Sequence, residues 1–88
     1  MKEIELVIPN KLGIHMRPAA MLVDEASKYS SEIEIEFNGI KANAKSLLNI
    51  VMLVLEYKAK IIVRAMGEDE EKAIIGLKTL IENGFGEK

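Results

Sequence analysis

The stretch EIEIEFNGIKANAKS, residues 32–46, decides the fold of this chain. Glutamate and apolar residues alternate strictly over 32–37, which is the pattern of a strand with one solvated and one buried face. The Asn38-Gly39 pair that follows favours a type I′ turn, because such a turn needs positive φ at both central positions. Residues 40–44 are therefore predicted as the return strand of a hairpin, and Ser46 can cap a helix that begins next.

Similar patterns on either side of the hairpin predict the other elements. Residues 2–8 alternate like 32–37, and 60–66 form another strand. Pro18 predicts a helix over 18–29, because its missing N–H is no loss in a first turn. The apolar run at 47–54 predicts a short helix, although its β-branched residues also fit a buried strand.

A third helix is predicted near the end of the chain. Negative charge at 68–71 suits the positive end of a helix, and Gly84 can close it as a C′ glycine. Its apolar stripe consists of Ala73, Ile74, Leu77, Leu80 and Ile81. The order β-α-β-β-α-β-α predicts an α+β open-faced β-sandwich, in which three helices cover one face of a four-stranded antiparallel sheet.

Composition limits the functions that the chain can have. It has 88 residues, room for one domain over 1–88, and a net charge of −2 that argues against nucleic-acid binding. No apolar run approaches the roughly 18 residues of a membrane span, and no secretory signal pattern opens the chain, so we expect a cytoplasmic protein without membrane insertion. The absence of cysteine excludes disulfides and thiolate chemistry. We expect neither a cofactor nor a metal.

The motif GIHMRPAA at residues 13–20 carries the only histidine, His15, just before a predicted helix. Amides in the first turn of a helix lack intrahelical acceptors and attract anions, so Arg17, Ala19 and Ala20 are the predicted backbone donors. The guanidinium of Arg17 also suits a phosphate. These parts describe a nucleophilic nitrogen beside a phosphate cradle. A lone histidine is, however, more often an ordinary surface or core residue, and without a nearby ligand cluster it makes a poor metal site.

The chain resembles the HPr family, the histidine-containing phosphocarriers of the bacterial phosphotransferase system. The resemblance rests on residues 13–20, 32–46 and the terminal GFGE at 84–87, and it covers essentially the whole chain. It implies that His15 is phosphorylated on Nδ1 by enzyme I, which is charged by phosphoenolpyruvate. His15 would pass the group to an enzyme IIA domain for sugar uptake, with Arg17 holding the phosphate. The chain would then be a stoichiometric carrier, not an enzyme, and we expect a monomer.

The resemblance also implies a regulatory site and a docking surface. The serine that matches Ser46 is phosphorylated in some members by an HPr kinase/phosphorylase. The second helix and the start of the first would dock partners through Met16, Met21, Leu47, Leu48 and Met52. The alternative is a nitrogen-branch or otherwise regulatory HPr paralogue that acts mainly by binding partners. The chain departs from many members at residues 54–58, where it has no glycine after the second helix.

Overall fold

The computed structural model describes residues 1–87 and is built on a four-stranded sheet. The strands are ordered β1-β4-β2-β3, and every neighbouring pair is antiparallel. Their bounds are β1 Lys2–Val7, β2 Glu32–Phe37, β3 Ile40–Asn43 and β4 Lys60–Met66. Asn38 and Gly39 have φ of 51° and 79°, as a type I′ turn requires. The predicted hairpin and antiparallel sheet are confirmed.

Three helices cover one face of the sheet: α1 Met16–Ala26, α2 Leu47–Met52 and α3 Glu70–Glu82. A 3₁₀ turn, Gly84–Gly86, follows α3. The predicted open-faced sandwich is therefore confirmed, and the run after Ser46 is a helix and not a buried strand. Within residues 1–87 no helix is long and apolar enough to cross a membrane.

The predicted bounds of the first helix, 18–29, are wrong at both ends. α1 begins two residues earlier, at Met16. Amides in the first turn of a helix have no intrahelical acceptor, so proline, which lacks an N–H, fits the third helical position as well as the first. After Ala26 the chain tightens into i→i−3 bonds, with the Tyr29 amide 3.3 Å from the Ala26 carbonyl. The second helix likewise ends at Met52 and not at residue 54.

The core lies between the sheet and the helices. Alternate residues of each strand point inward, so the sheet gives this face only apolar side chains. The helices add the apolar side chains of their inner faces. The fully buried aliphatic side chains larger than alanine are Ile8, Ile35, Ile61 and Val63 from the strands and their continuations, and Leu22, Ile50, Leu77 and Ile81 from the helices.

The opposite face of the sheet carries a cluster of charged side chains centred on Arg64 of β4. Its guanidinium lies 2.9 Å from Glu3 on β1, and 2.9 Å and 2.6 Å from Glu34 and Glu36 on β2. These carboxylates, Glu36 foremost, raise the pKa of Arg64 above its ordinary value. One cation thus links three strands and offsets repulsion between glutamates that point the same way.

The loop after α2 reverses direction without a glycine. Val54 and Lys58 have φ of 51° and 69°, in the left-handed region that glycine usually occupies. For the β-branched Val54 this conformation is an outlier, costing about 1–2 kcal/mol. The absence of glycine at residues 54–58 therefore adds backbone strain to this loop.

Val54→Gly should stabilise the protein. Val54 is exposed, so little packing is lost, and relief of the strain should outweigh the entropy that glycine adds to the unfolded chain. We expect a gain of about 0.5–1 kcal/mol in the free energy of unfolding and a rise of a few degrees in Tm, measured by thermal and urea unfolding. Asn49→Gly, an exposed glycine substitution within right-handed α2, is the control and should destabilise. A lower Tm for Val54→Gly would contradict the strain argument.

Asp69 precedes α3 but does not cap it. Its side chain makes no capping bond and instead accepts from the backbone amides of Ser30 and Ser31, both at 2.9 Å, and from the Ser31 hydroxyl. These bonds, the hydroxyl foremost, lower the pKa of Asp69 from 3.8 to about 2. The carboxylate therefore ties the connection between α1 and β2 to the start of α3.

Acid should weaken this tie. Because the folded-state pKa lies below the ordinary value, the stability that Asp69 contributes is complete above about pH 4 and is lost as the pH falls through about 2. Asp69→Asn should lower stability at neutral pH and flatten the loss of stability between pH 4 and pH 2. Urea unfolding across this range checks both effects, with the exposed neighbour Glu68→Gln as control. An Asp69→Asn curve parallel to that of the natural protein would contradict the assignment.

Candidate functional site

His15 is placed by the loop that joins β1 to α1. The Gly13 amide donates to the Asn10 carbonyl at 2.9 Å, and the Ile14 amide donates to the Leu55 carbonyl at 2.8 Å. Gly13 has a φ of 70°, and a Cβ there would lie 2.6 Å from the Leu55 oxygen, so only glycine fits this close approach. The chain then extends through His15, the N-cap residue of α1, whose side chain is 42% exposed.

The free amides beside His15 differ from those expected. The Ala19 amide donates to the His15 carbonyl at 3.0 Å, and Ala20 lies one turn inside α1, where its amide faces the Met16 carbonyl. The prediction that Ala19 and Ala20 offer free donors is therefore wrong, because the helix starts two residues earlier than expected. Within residues 1–87 the amides of Met16 and Arg17 have no acceptor, and these are the donors that an anion could use.

Arg17 lies in the first turn of α1, two residues after the histidine. Its side chain is exposed, and no carboxylate within residues 1–87 forms an ion pair with it. The helix start provides backbone donors on the same turn of chain. A guanidinium in this position can bind an anion without first releasing an internal partner among those residues.

Two residues that sequence reasoning missed, Glu87 and Asn10, complete the surroundings of His15. Oε2 of Glu87 lies 2.9 Å from Nε2 of His15. The Asn10 amide group donates to Oε1 of Glu87 at 2.6 Å and to the Gly84 carbonyl at 2.9 Å. The two glutamate oxygens thus engage a ring nitrogen and a buried amide at once.

The turn before Glu87 fixes the position of its side chain. Phe85 is 1% exposed and anchors the turn in the core with an unusual φ of 57° between two left-handed glycines, Gly84 and Gly86. The Gly84 carbonyl accepts from both Asn10 and the Glu87 amide, the latter at 3.0 Å. The one sequence signal for this arrangement was the GFG pattern, which indicates a turn but not the residue that it faces.

Ser46 is the N-cap of α2, as predicted. Its hydroxyl oxygen accepts from the Asn49 amide at 3.3 Å, and its backbone is extended. The side chain is half-buried, so its oxygen lies at the protein surface while it caps the helix. The structure thus gives Ser46 a stabilising role before any regulation is considered.

The residues expected to dock partners divide into two groups. Met16, Leu48 and Met52 are exposed, and we call these three the apolar patch; Leu48 and Met52 are 67% and 70% exposed. Met21 and Leu47 are half-buried and pack against the core. Met21 is also five residues from Met16, about 140° around the helix, and lies in the groove between α1 and α3. The structure therefore does not place Met21 with the patch.

The geometry of the site suits reversible phosphoryl chemistry. In the part of the chain that the structure describes, no three acidic, histidine or cysteine side chains are grouped to hold a metal. An exposed imidazole at a helix N-terminus, with unused amides and a guanidinium nearby, is an arrangement that can take up and release a phosphoryl group. Fold and site together define a small α+β domain built around one exposed histidine.

Comparisons with known proteins identify the family. Residues 2–83 match the family model described as the PTS HPr component phosphorylation site. The phosphocarrier protein HPr of Xylella fastidiosa is 41% identical over 87 residues, covering 99% of this chain and 98% of the relative. The chain belongs to the HPr family, the phosphocarriers of the phosphotransferase system.

Solved structures agree with this assignment. HPr-C-His from Thermoanaerobacter tengcongensis is 46% identical and superposes with a TM-score of 0.97, over 100% of this chain and 99% of that one. A structure described as an HPr dimer from the same organism is 47% identical, with a TM-score of 0.80 over 99% and 100% of the two chains. The fold predicted from the sequence is thus the family's fold.

Proposed function

We propose that His15 accepts a phosphoryl group from enzyme I, charged by phosphoenolpyruvate, and passes it to enzyme IIA domains for sugar uptake. The observation that carries the proposal is the place of His15: the only histidine of an HPr-family chain is the exposed N-cap residue of α1. Its ring stands beside helix amides that have no internal acceptor among residues 1–87.

The chemistry follows from these groups. A ring nitrogen lone pair forms the N–P bond while the bond between phosphorus and the donor breaks, and the donor keeps that electron pair. The amides of Met16 and Arg17, with the Arg17 guanidinium, would stabilise the charge on the phosphoryl oxygens. The reverse step returns the electron pair to His15. The chain ends unchanged after each cycle but is itself the substrate of two enzymes, and we therefore propose a carrier and not an enzyme.

Partner docking would use the apolar patch. α1, which begins directly after His15, packs against α2. Met16 on α1 and Leu48 and Met52 on α2 have exposed side chains that a partner could contact. Methionine adapts to different partner surfaces, which suits a carrier that must bind several proteins briefly. We propose that residues 1–88 act as one unit, as a monomer in the cytoplasm.

Phosphorylation by enzyme I tests the proposal. Incubation with phosphoenolpyruvate and a cognate enzyme I should add one phosphate to the intact mass, and the product should be acid-labile. His15→Ala should abolish the gain, while Arg17→Ala should keep the site but slow its labelling about tenfold or more, because one charged contact to the phosphate is lost. His15→Ala should leave the circular dichroism spectrum unchanged, since the side chain lies outside the core.

Failure to label would have a definite meaning. If a cognate enzyme I that labels another HPr leaves this chain unmodified, the carrier proposal is wrong. The regulatory alternative, in which the chain acts by binding partners, would then be favoured. Labelling without transfer to any enzyme IIA domain of sugar uptake would favour an acceptor in a regulatory relay such as the nitrogen branch.

We also propose that phosphorylation of Ser46 by an HPr kinase/phosphorylase regulates the carrier. Ser46 lies at the surface immediately before α2, whose Leu48 and Met52 belong to the apolar patch. A phosphate there would add about two negative charges beside a neutral docking surface and would oppose an acidic partner. It would act on docking and not on the histidine itself.

A charge substitution tests this effect without the kinase. Ser46→Asp should raise the KM of enzyme I for this chain roughly tenfold and leave kcat unchanged, because the added charge weakens encounter. Ser46→Asn is the matched control: asparagine and aspartate both cap helices well, and only aspartate adds charge. Equal KM values for the two variants would contradict the electrostatic mechanism.

A further inference from the structure

The contact between Glu87 and His15 shows which nitrogen of the imidazole ring carries the proton. An ionised carboxylate only accepts hydrogen bonds, so Nε2, at 2.9 Å from Oε2, must be the nitrogen that carries a proton. The other oxygen, Oε1, accepts from the Asn10 amide, so both carboxylate oxygens act as acceptors. A neutral imidazole has a single N–H, and Nδ1 is then left with the free lone pair.

The carboxylate is held in place before any substrate arrives. Asn10 is 6% exposed, and its NH₂ group faces two acceptors, the Gly84 carbonyl and Oε1 of Glu87. The reverse orientation of the amide would bring its oxygen against both of them. With Phe85 anchored in the core, the backbone before Glu87 is fixed as well. The arrangement resembles the carboxylate that orients a catalytic or metal-binding histidine.

We propose that Glu87 is a positioning residue, which keeps the His15 proton on Nε2 throughout the transfer and so makes Nδ1 the nucleophile. The proposal rests on the proposed function. The family resemblance already implies that Nδ1 reacts, and the proposal adds the role of Glu87, whose contact with His15 joins residues 72 positions apart.

The proton balance of the transfer shows what this achieves. When the Nδ1 lone pair forms the N–P bond, the bond to the donor breaks and the donor keeps its electron pair. The ring becomes a phosphoimidazolium cation that retains its Nε2 proton, and the Glu87 carboxylate pairs with that cation. When an acceptor attacks phosphorus, the N–P electron pair returns to Nδ1 and leaves a neutral imidazole. If Nε2 lost its proton first, an imidazolate anion would have to leave, which is much less favourable.

The tautomer of the unphosphorylated protein is the direct test. Long-range ¹⁵N–¹H correlation spectra, at a pH where the ring is neutral, should show only the Nε2–H form in the natural chain. Glu87→Gln should show a measurable Nδ1–H fraction, because a glutamine amide can either accept from Nε2–H or donate to a bare Nε2. Glu82→Gln removes an exposed carboxylate at the end of α3 and is the matched control, with no expected change. A substantial Nδ1–H population in the natural chain, or an unchanged tautomer in Glu87→Gln, would overturn the proposal.

Transfer kinetics provide a second readout. With enzyme I, Glu87→Gln should lower kcat about fivefold while KM stays constant, because a positioning role acts on the ring during transfer and not on docking, and the pair is partly exposed. A change in KM alone would point to a docking role and contradict the positioning role. Glu87→Ala repeats both measurements without a polar side chain, and amide spectra of each variant establish that it is folded.

The tautomer measurement and the transfer kinetics distinguish the role of Glu87 from the proposed carrier function of His15. The tautomer measurement needs no phosphoryl donor, so it decides the role of Glu87 even if His15 is never labelled. Conversely, a natural chain that is labelled normally, with Glu87→Gln equal to it in kcat and tautomer, would retain the carrier function and remove Glu87 from its mechanism.

Discussion

The hydrogen bond from the Ile14 amide to the Leu55 carbonyl joins the two loops on which the site depends. It continues the pairing of β1 with β4, since Ile8 exchanges bonds with Lys58 and Ala59 just beyond the strand ends. Gly13 allows the close approach by lying against the Leu55 oxygen. The register of two strands thereby fixes where α1 begins, and His15 stands at that beginning. A side chain at position 13 would disturb the strand ends and the helix start together.

Much of the fold could be predicted because its local signals agree with one another. The alternation at residues 32–37 and the Asn38-Gly39 turn specify a hairpin whatever the rest of the chain does. The helix ends were less predictable. Pro18 is acceptable anywhere in a first turn, so it marks a helix start only to within a few residues. Val54 adopts a left-handed backbone conformation that β-branched residues disfavour, and only the surrounding structure can impose it.

In the candidate site, too, local features could be predicted from the sequence and tertiary contacts could not. The helix start, the lone histidine and the capping serine are local features, and the sequence indicated His15, Arg17 and Ser46 directly. Glu87 meets His15 only because the sheet and α3 bring the end of the chain back to the first loop. No sequence pattern at residues 84–87 predicts that Glu87 contacts the histidine. The wrong prediction that the Ala19 amide is free has a local cause. A shift of two residues in the helix start decides which amides lack an acceptor.

The ion pairs around Arg64 bear on how the strands find their alignment. Glu3 and Glu34 stand directly opposite Arg64 on its two neighbouring strands. Moving either strand by two residues in one direction keeps the apolar residues inward and brings another carboxylate, Glu5 or Glu36, opposite the same arginine. Charge attraction therefore tolerates slipped sheets during folding. For β1 the loops select the alignment, because only its native register with β4 brings the Ile14 amide to the Leu55 carbonyl and so fixes where α1 begins.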